Sequence, residues 1–264
     1  MTREAKEIRS DMGWSDTTRI RVQGMDLMQD IMGKLNLGDF AFLEIQKRLP
    51  TPSESIVFNA MLATLVEHGM TPMAIATRLT YLGAPESLQG AVASGLLGMG
   101  TTFAGTAEGA ARILQEALCG DAASTPDSEL PAMAEAIVKR LRDTRQPIPG
   151  IGHNIHKPVD PRATRLFELA SKNGISGKHV KLMNHIAAAA ERALNKPGQL
   201  PVNATGALGA LASEMAIPWK LCRGLAVIGR SIGLVGHIAE ELRNPIAREI
   251  WERTEHDASS HVQY

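Results

Sequence analysis

Aromatic side chains are scarce in this 264-residue chain: three Trp, two Tyr and five Phe, 4% in all. A core built without aromatic bulk has to be closed by aliphatic and small side chains brought close together. Cysteine is nearly absent as well. Cys119 and Cys222 have no metal-ligand spacing and no framework of partners, so they read as small core fillers in a reducing compartment. Neither sign of charge is in excess, since 28 Lys plus Arg balance 28 Asp plus Glu. That balance argues against nucleic acid or an anionic membrane as partner, and it leaves any anion site to a local cluster of Arg and His. No stretch approaches roughly 18 uncharged apolar residues, so no membrane span is expected. The charged start Met1–Glu7 lacks the apolar core of a signal peptide, and the expected location is cytoplasmic. There is no Walker loop, so the chain is not expected to hydrolyse ATP itself.

What is present is helical periodicity. Ile56, Met61, Leu62, Leu65 and Val66 form an apolar stripe, with Ser53 as expected N-cap and Gly69 as terminator. Pro72 opens a second helix that reads to Gly83. Further helices are predicted over Glu86–Leu97, Phe103–Leu118, Ala132–Leu141, Val180–Leu194 and Trp219–Leu242, with Gly120–Pro131 as a surface loop. The only strand expected is Thr18–Gln23. The expected fold class is all-α. Two glycine series, Gly95, Gly98, Gly100, Gly105 and Gly224, Gly229, Gly233, Gly236, point to close helix approach or to a ligand. Each Gly within a helix costs about 1 kcal/mol against Ala.

Two segments place ionisable groups among glycines. In the first, Gly150-Ile151-Gly152-His153 precedes Asp160-Pro161-Arg162, and the loop is expected to expose backbone N–H groups. In the second, Arg230 and His237 lie within Gly229-Arg230-Ser231-Ile232-Gly233-Leu234-Val235-Gly236-His237, the most apolar helix. An Arg there needs a partner, and Glu214, Glu240 or Glu241 is the plain alternative to a ligand carboxylate. His68, in Glu67-His68-Gly69, sits at a helix end where the macrodipole alone could account for it. The i, i+3 pair His153 and His156 is a weak metal signal, since no Cys or acidic ligand stands at suitable spacing.

Together these segments resemble the active-site signature of the citrate synthase superfamily, in the stand-alone citryl-CoA lyase variant, which is similar to the C-terminal module of ATP-citrate lyase. The resemblance implies large and small helical domains, residues 1–68 plus 208–264 and residues 69–207, with a cleft between them. It implies that His68 holds a thioester carbonyl oxygen and that His153 hydrogen-bonds the oxygen at the carbon where the C–C bond breaks. Arg162 and Arg230 would bind substrate carboxylate. A third arginine would cross a dimer interface, with Arg248 and Arg253 both candidates. Gly150, Ile151, Gly152 and Lys157 would lie along coenzyme A. His237 reads as structural.

The implied activity is CoA-dependent cleavage of citryl-CoA, or a related 3-hydroxyacyl-CoA, to acetyl-CoA and a 2-oxo acid such as oxaloacetate. The CoA thioester is the substrate, with no separate cofactor and no metal. The expected assembly is a homodimer or larger. One departure stands out. The segment Asn203-Ala204-Thr205-Gly206 places Thr205 where the family has a proton-transferring Asp. A Thr hydroxyl is no base near neutral pH. A non-catalytic binder of CoA esters or polycarboxylates, or a condensing enzyme with another acceptor, stays open.

Overall fold

The computed structural model describes residues 7–262, and the run Met1–Lys6 lies outside them. The chain begins with an antiparallel meander of three short strands: β1 (Gly13–Ser15), β2 (Ile20–Val22) and β3 (Met25–Asp26). The expected strand at Thr18–Gln23 is thus the middle of three. Its neighbours are too short to show alternation in the sequence.

Eleven α-helices follow among the described residues. They are α1 (Leu37–Gln46), α2 (Pro52–Val66), α3 (Pro72–Gly83), α4 (Leu88–Leu97), α5 (Gly105–Ala117), α6 (Leu130–Asp143), α7 (Pro161–Lys172), α8 (Lys178–Leu194), α9 (Ala204–Glu214), α10 (Cys222–Arg243) and α11 (Ala247–Ser259). Thr51, not Ser53, caps α2. Its hydroxyl accepts from the Glu54 amide while the Glu54 carboxylate accepts from the Thr51 amide, and Pro52 fills the first helical position. The expected loop at Gly120–Pro131 contains two 3₁₀ turns, and α6 already starts at Leu130 with Pro131 in its first turn.

The principal core joins α1, α2 and α5–α9 to the start of α10. Phe42 and Phe58 meet edge to face at 5.2 Å, and Leu114, Ile186 and Leu211 are fully buried. A smaller cluster of Met73, Met99, Ala104, Ala226 and Leu234 binds α3 and α4 to α10. Residues on both sides of the expected division at His68 and Leu208 contribute to the principal core.

Glycines set several crossings, though not all those expected. A Cβ on Gly229 would stand 2.8 Å from Leu65 Cβ, and one on Gly209 would stand 2.7 Å from the Ala111 amide nitrogen. Gly233 meets the Val66 carbonyl oxygen, which ends α2 against α10. Gly224 and Gly236 face open space, and so does Gly100, so those three set no helix crossing among the described residues.

The segment Trp219–Arg243 is long and apolar enough by composition to cross a membrane, but 50% of its apolar window is buried inside the protein. It also carries buried Arg230, His237 and Glu241, and it packs on α2, α3 and α4. Those features fit the central helix of the bundle.

Candidate active site

The cleft that gathers the signature residues has a volume of about 250 Å³ and lies where the ends of α2, α7 and α9 face α10. His68, His153, Arg162, Thr205 and Arg230 all line it, with Thr64, Thr71, Phe103 and Asn203 between them. Five residues named from the sequence are therefore brought together from segments up to about 160 positions apart.

His153 is held by its own loop. Its Nδ1 accepts the backbone N–H groups of Ile155 at 3.1 Å and His156 at 3.0 Å. That pattern assigns the proton of the neutral ring to Nε2. Arg162 Nη2 lies 3.3 Å from the same Nε2, so two donors stand side by side at the cleft, one of them also bonded to Asp160. An oxygen placed between them would accept from both. Burial, then the Arg162 charge, lowers the His153 pKa and favours the neutral ring.

Asp160 fixes Arg162. It is fully buried, caps α7 and accepts from the Arg162 amide at 3.0 Å, Arg162 Nε at 3.1 Å and Arg162 Nη2 at 2.8 Å. It also accepts from the Ala204 amide at 3.0 Å, which ties α7 to α9. Burial opposes its charge, but the hydrogen bonds from Arg162 and Ala204 hold its pKa at about 2. The helix that Asp160 caps, α7, was not among those expected from the sequence. Nor was Asp160's grip on Arg162 and α9.

The expectation of free N–H groups in the Gly150 loop is corrected at Gly152. The Gly152 amide donates to Pro201 O at 2.7 Å, the Asn203 amide donates to Gly150 O at 3.0 Å, and Ile151 and Val202 form an antiparallel bridge. Gly150 is buried at φ +84°, and a Cβ on it would stand 2.6 Å from Gly206 Cα. The two glycines are thus needed for the 150 loop to lie on the start of α9. Lys157 is exposed and does not line the cleft.

Asn203 caps α9. Its Oδ1 accepts from the amides of Thr205 and Gly206 and from Thr205 Oγ1 at 2.7 Å, and its Nδ2 donates to Gly152 O at 2.8 Å. The Thr205 hydroxyl proton is therefore committed, and only its lone pairs face the cleft.

Arg230 is 8% exposed, and its Nε and Nη1 have no hydrogen-bond partner among the described residues. The plain alternatives are overturned. Glu240 and Glu241 bond Arg78, and Glu214 accepts from the amides of Gly177 and Val180. Burial pushes the Arg230 pKa down while Glu67 opposes that. A buried guanidinium without an acceptor suits a ligand carboxylate.

Arg248 and Arg253 do not reach this cleft. Both sit on exposed α11 and lie 3.8 Å from Glu252 and Glu249 respectively. His153 and His156 stack at 4.5 Å, and the described residues hold no group of three metal-ligating side chains. No carboxylate lines the cleft among the described residues.

A profile of the citrate synthase C-terminal domain matches residues 19–251. The chain belongs to the citrate synthase family. It is 34% identical to the solved citryl-CoA lyase of Hydrogenobacter thermophilus, over 90% of this chain and 88% of that one, with a TM-score of 0.80. An ATP citrate lyase from Methanothrix soehngenii, solved with citrate and coenzyme A, shares the fold at a TM-score of 0.73 and 23% identity, over 91% of this chain and 40% of that one. The probable ATP-citrate synthase of Dictyostelium discoideum is 25% identical over 84% of this chain and 36% of its own length. The chain thus spans about a third of the length of the curated relatives it matches. The fold is the mostly helical, citrate-synthase-like one expected.

Proposed function

We propose that this chain is a CoA-dependent carbon–carbon lyase. It would cleave citryl-CoA, or a related 3-hydroxyacyl-CoA, to acetyl-CoA and a 2-oxo acid such as oxaloacetate. One observation carries the reading: the cleft is lined by His68, His153, Arg162 and Arg230, and the Arg230 guanidinium is buried without an acceptor. Similarity to the Hydrogenobacter citryl-CoA lyase supports it.

In this reading Arg230 and Arg162 take substrate carboxylate or the oxygen beside it. His153 Nε2–H donates to the oxygen on the carbon that becomes the ketone. His68 donates to the thioester oxygen as the acetyl enolate forms. Cleavage breaks one C–C bond, turns C–O–H into C=O and leaves the enolate carbon to be protonated. His153 Nε2 already carries its proton and no carboxylate lines the cleft among the described residues, so the hydroxyl proton leaves to water while the enolate carbon takes one from water, and the protons lost and gained balance. Thr205 offers only lone pairs, so it holds the water that hands a proton to carbon and does not itself supply one.

The proposal includes a homodimer or larger assembly in which Arg248 or Arg253 of one copy completes the carboxylate site of another. Exposed Ile232, Val235 and Leu242 on α10 and Trp251 on α11 support an assembly face there. It also includes movement of residues 69–207 relative to 1–68 plus 208–264 to close the cleft, CoA running past Ile151 toward Lys157, and a cytoplasmic location suited to the two free cysteines.

Mass analysis of products from citryl-CoA and a panel of 3-hydroxyacyl-CoA esters tests the reading. Acetyl-CoA and oxaloacetate are expected from citryl-CoA, and no cleavage of any ester would sink it. The absence of a lining carboxylate favours one alternative, a binder of CoA esters without C–C chemistry. Stabilisation by CoA esters with no turnover is its signature.

A further inference from the structure

His237 lies outside the cleft lining, yet it is joined to it by an unbroken chain of hydrogen bonds. Arg78, on α3 and fully buried, donates to His237 Nδ1 from Nε at 3.2 Å and lies 3.1 Å from it at Nη2. An arginine has no acceptor, so Nδ1 is the acceptor and the ring proton is on Nε2. His237 Nε2 faces the Glu67 carboxylate at 3.2 Å. Glu67 Oε1 accepts from the amide of His68 at 2.8 Å and also from that of Gly69. Burial opposes the Glu67 charge, but those two amides and His237 hold its pKa down. On the other side, Arg78 bonds Glu240, and it bonds Glu241 at 2.7 Å. Glu241 in turn accepts the amides of Ile246 and Ala247 that open α11.

We propose that His237 and Glu67 are positioning residues for His68. Arg78 fixes the His237 tautomer, His237 fixes the Glu67 carboxylate, and the carboxylate fixes the His68–Gly69 backbone at the rim of the cleft. The proposal rests on the lyase reading for its consequence but not for its geometry. Glu67 is half-exposed, and among the described residues its hydrogen-bond donors are the His68 and Gly69 amides and His237, which hold it tilted back over its own helix end. Where the chain turns, Gly69 is at φ +72°, a conformation with no internal helix bonds to hold it. The side-chain clasp supplies that restraint. A catalytic group displaced by about 1 Å loses on the order of 10²-fold in rate, which is the scale at stake.

The test compares wild type, His237→Leu, His237→Gln and Glu67→Ala in the full chain. Two readouts are taken: amide hydrogen exchange at His68 and Gly69, and kinetics with citryl-CoA. In His237→Leu and Glu67→Ala the two amides should exchange at least about tenfold faster while core amides of α9 do not change. The kcat should fall roughly 10- to 100-fold with KM within about twofold. His237→Gln, whose amide N–H can still reach Glu67, should restore most of both. Folded variants with wild-type exchange at His68 and Gly69, or with lost exchange protection but unchanged kcat, overturn the proposal. If His237→Leu fails to fold, Glu67→Ala decides alone, because Glu67 is exposed enough to truncate without a cavity. If wild type cleaves no citryl-CoA, the lyase reading fails, and the exchange rates still decide whether the clasp holds His68.

Discussion

Two buried arginines, one on α3 and one on α10, carry opposite lessons. Arg78 on α3 is fully buried and bonds two glutamates and a histidine. Arg230 on α10 is nearly as buried and leaves two nitrogens unbonded at the edge of a cleft. Burying a charge is costly unless it is paired. Arg78 has its charge met within the chain, so it belongs to the structure. Arg230 has no hydrogen-bond acceptor on Nε or Nη1 among the described residues, only the more distant charge of Glu67, so the site is built to receive an anion.

The largest expected effect separates them by stability. Arg78→Met should leave Glu241 buried without its partner and cost about 3–5 kcal/mol, read as a large drop in Tm. Arg230→Met, which replaces an unpaired buried charge by an apolar side chain, should leave Tm unchanged or raise it. Equal losses from both would break the comparison. The same Arg230→Met variant should lose about 2–5 kcal/mol of substrate handling, measured as kcat/KM for a carboxylate-bearing CoA ester. Unaltered kinetics would mean that Arg230 is not a carboxylate clamp.

Next is the paired arginine inside the cleft. Asp160 has its folded pKa depressed from 3.8 to about 2. Its contribution is therefore present above the unfolded pKa and is lost as pH falls from about 4 through about 2. The shift corresponds to about 2 kcal/mol. Asp160→Asn should remove that acid-side slope, and a melt series from pH 6 to 2 checks it.

Thr205 sharpens the site itself. Thr205→Asp, which restores a carboxylate, should speed exchange of the acetyl-CoA methyl protons in heavy water. Losing a positioned acid or base typically costs about 10²–10⁴-fold, which bounds the gain. Thr205→Val should slow whatever exchange wild type shows, and an unchanged rate would take the hydroxyl out of the chemistry. The smallest effect belongs to Arg248. Its exposed pair with Glu252 is worth roughly 0.3–0.5 kcal/mol, so Arg248→Ala should barely move Tm. A large loss of kcat/KM in that variant would place Arg248 in a neighbouring copy's site.

Much of this was decided by local sequence. The helix start at Pro72 follows from proline's fixed φ and its missing N–H. Long helices such as α8 and α10 announce themselves through apolar periodicity, which needs only nearest neighbours along one face. The motif residues His68, His153, Arg162, Thr205 and Arg230 were nameable because the segments that hold them resemble the family's signature in order and spacing. Short strands β1 and β3 were not legible, because two or three residues show no period. Helix α9 was missed because the Ala and Gly that let it pack on α5 carry little hydrophobic signal.

The partner of each charge was decided only by the tertiary structure. From the sequence, Glu240 and Glu241 were as eligible for Arg230 as for Arg78, since all three stand on or near one apolar helix. The α3–α10 crossing brings Arg78 to them and turns Arg230 toward the cleft. The Gly150 loop's N–H groups likewise looked free until residues 201–203 ran alongside and took Gly152's. Periodicity and capping are properties of a few consecutive residues. Whether a charge or an N–H is satisfied depends on groups from about fifty to more than a hundred and sixty positions away, and only the packed chain supplies those.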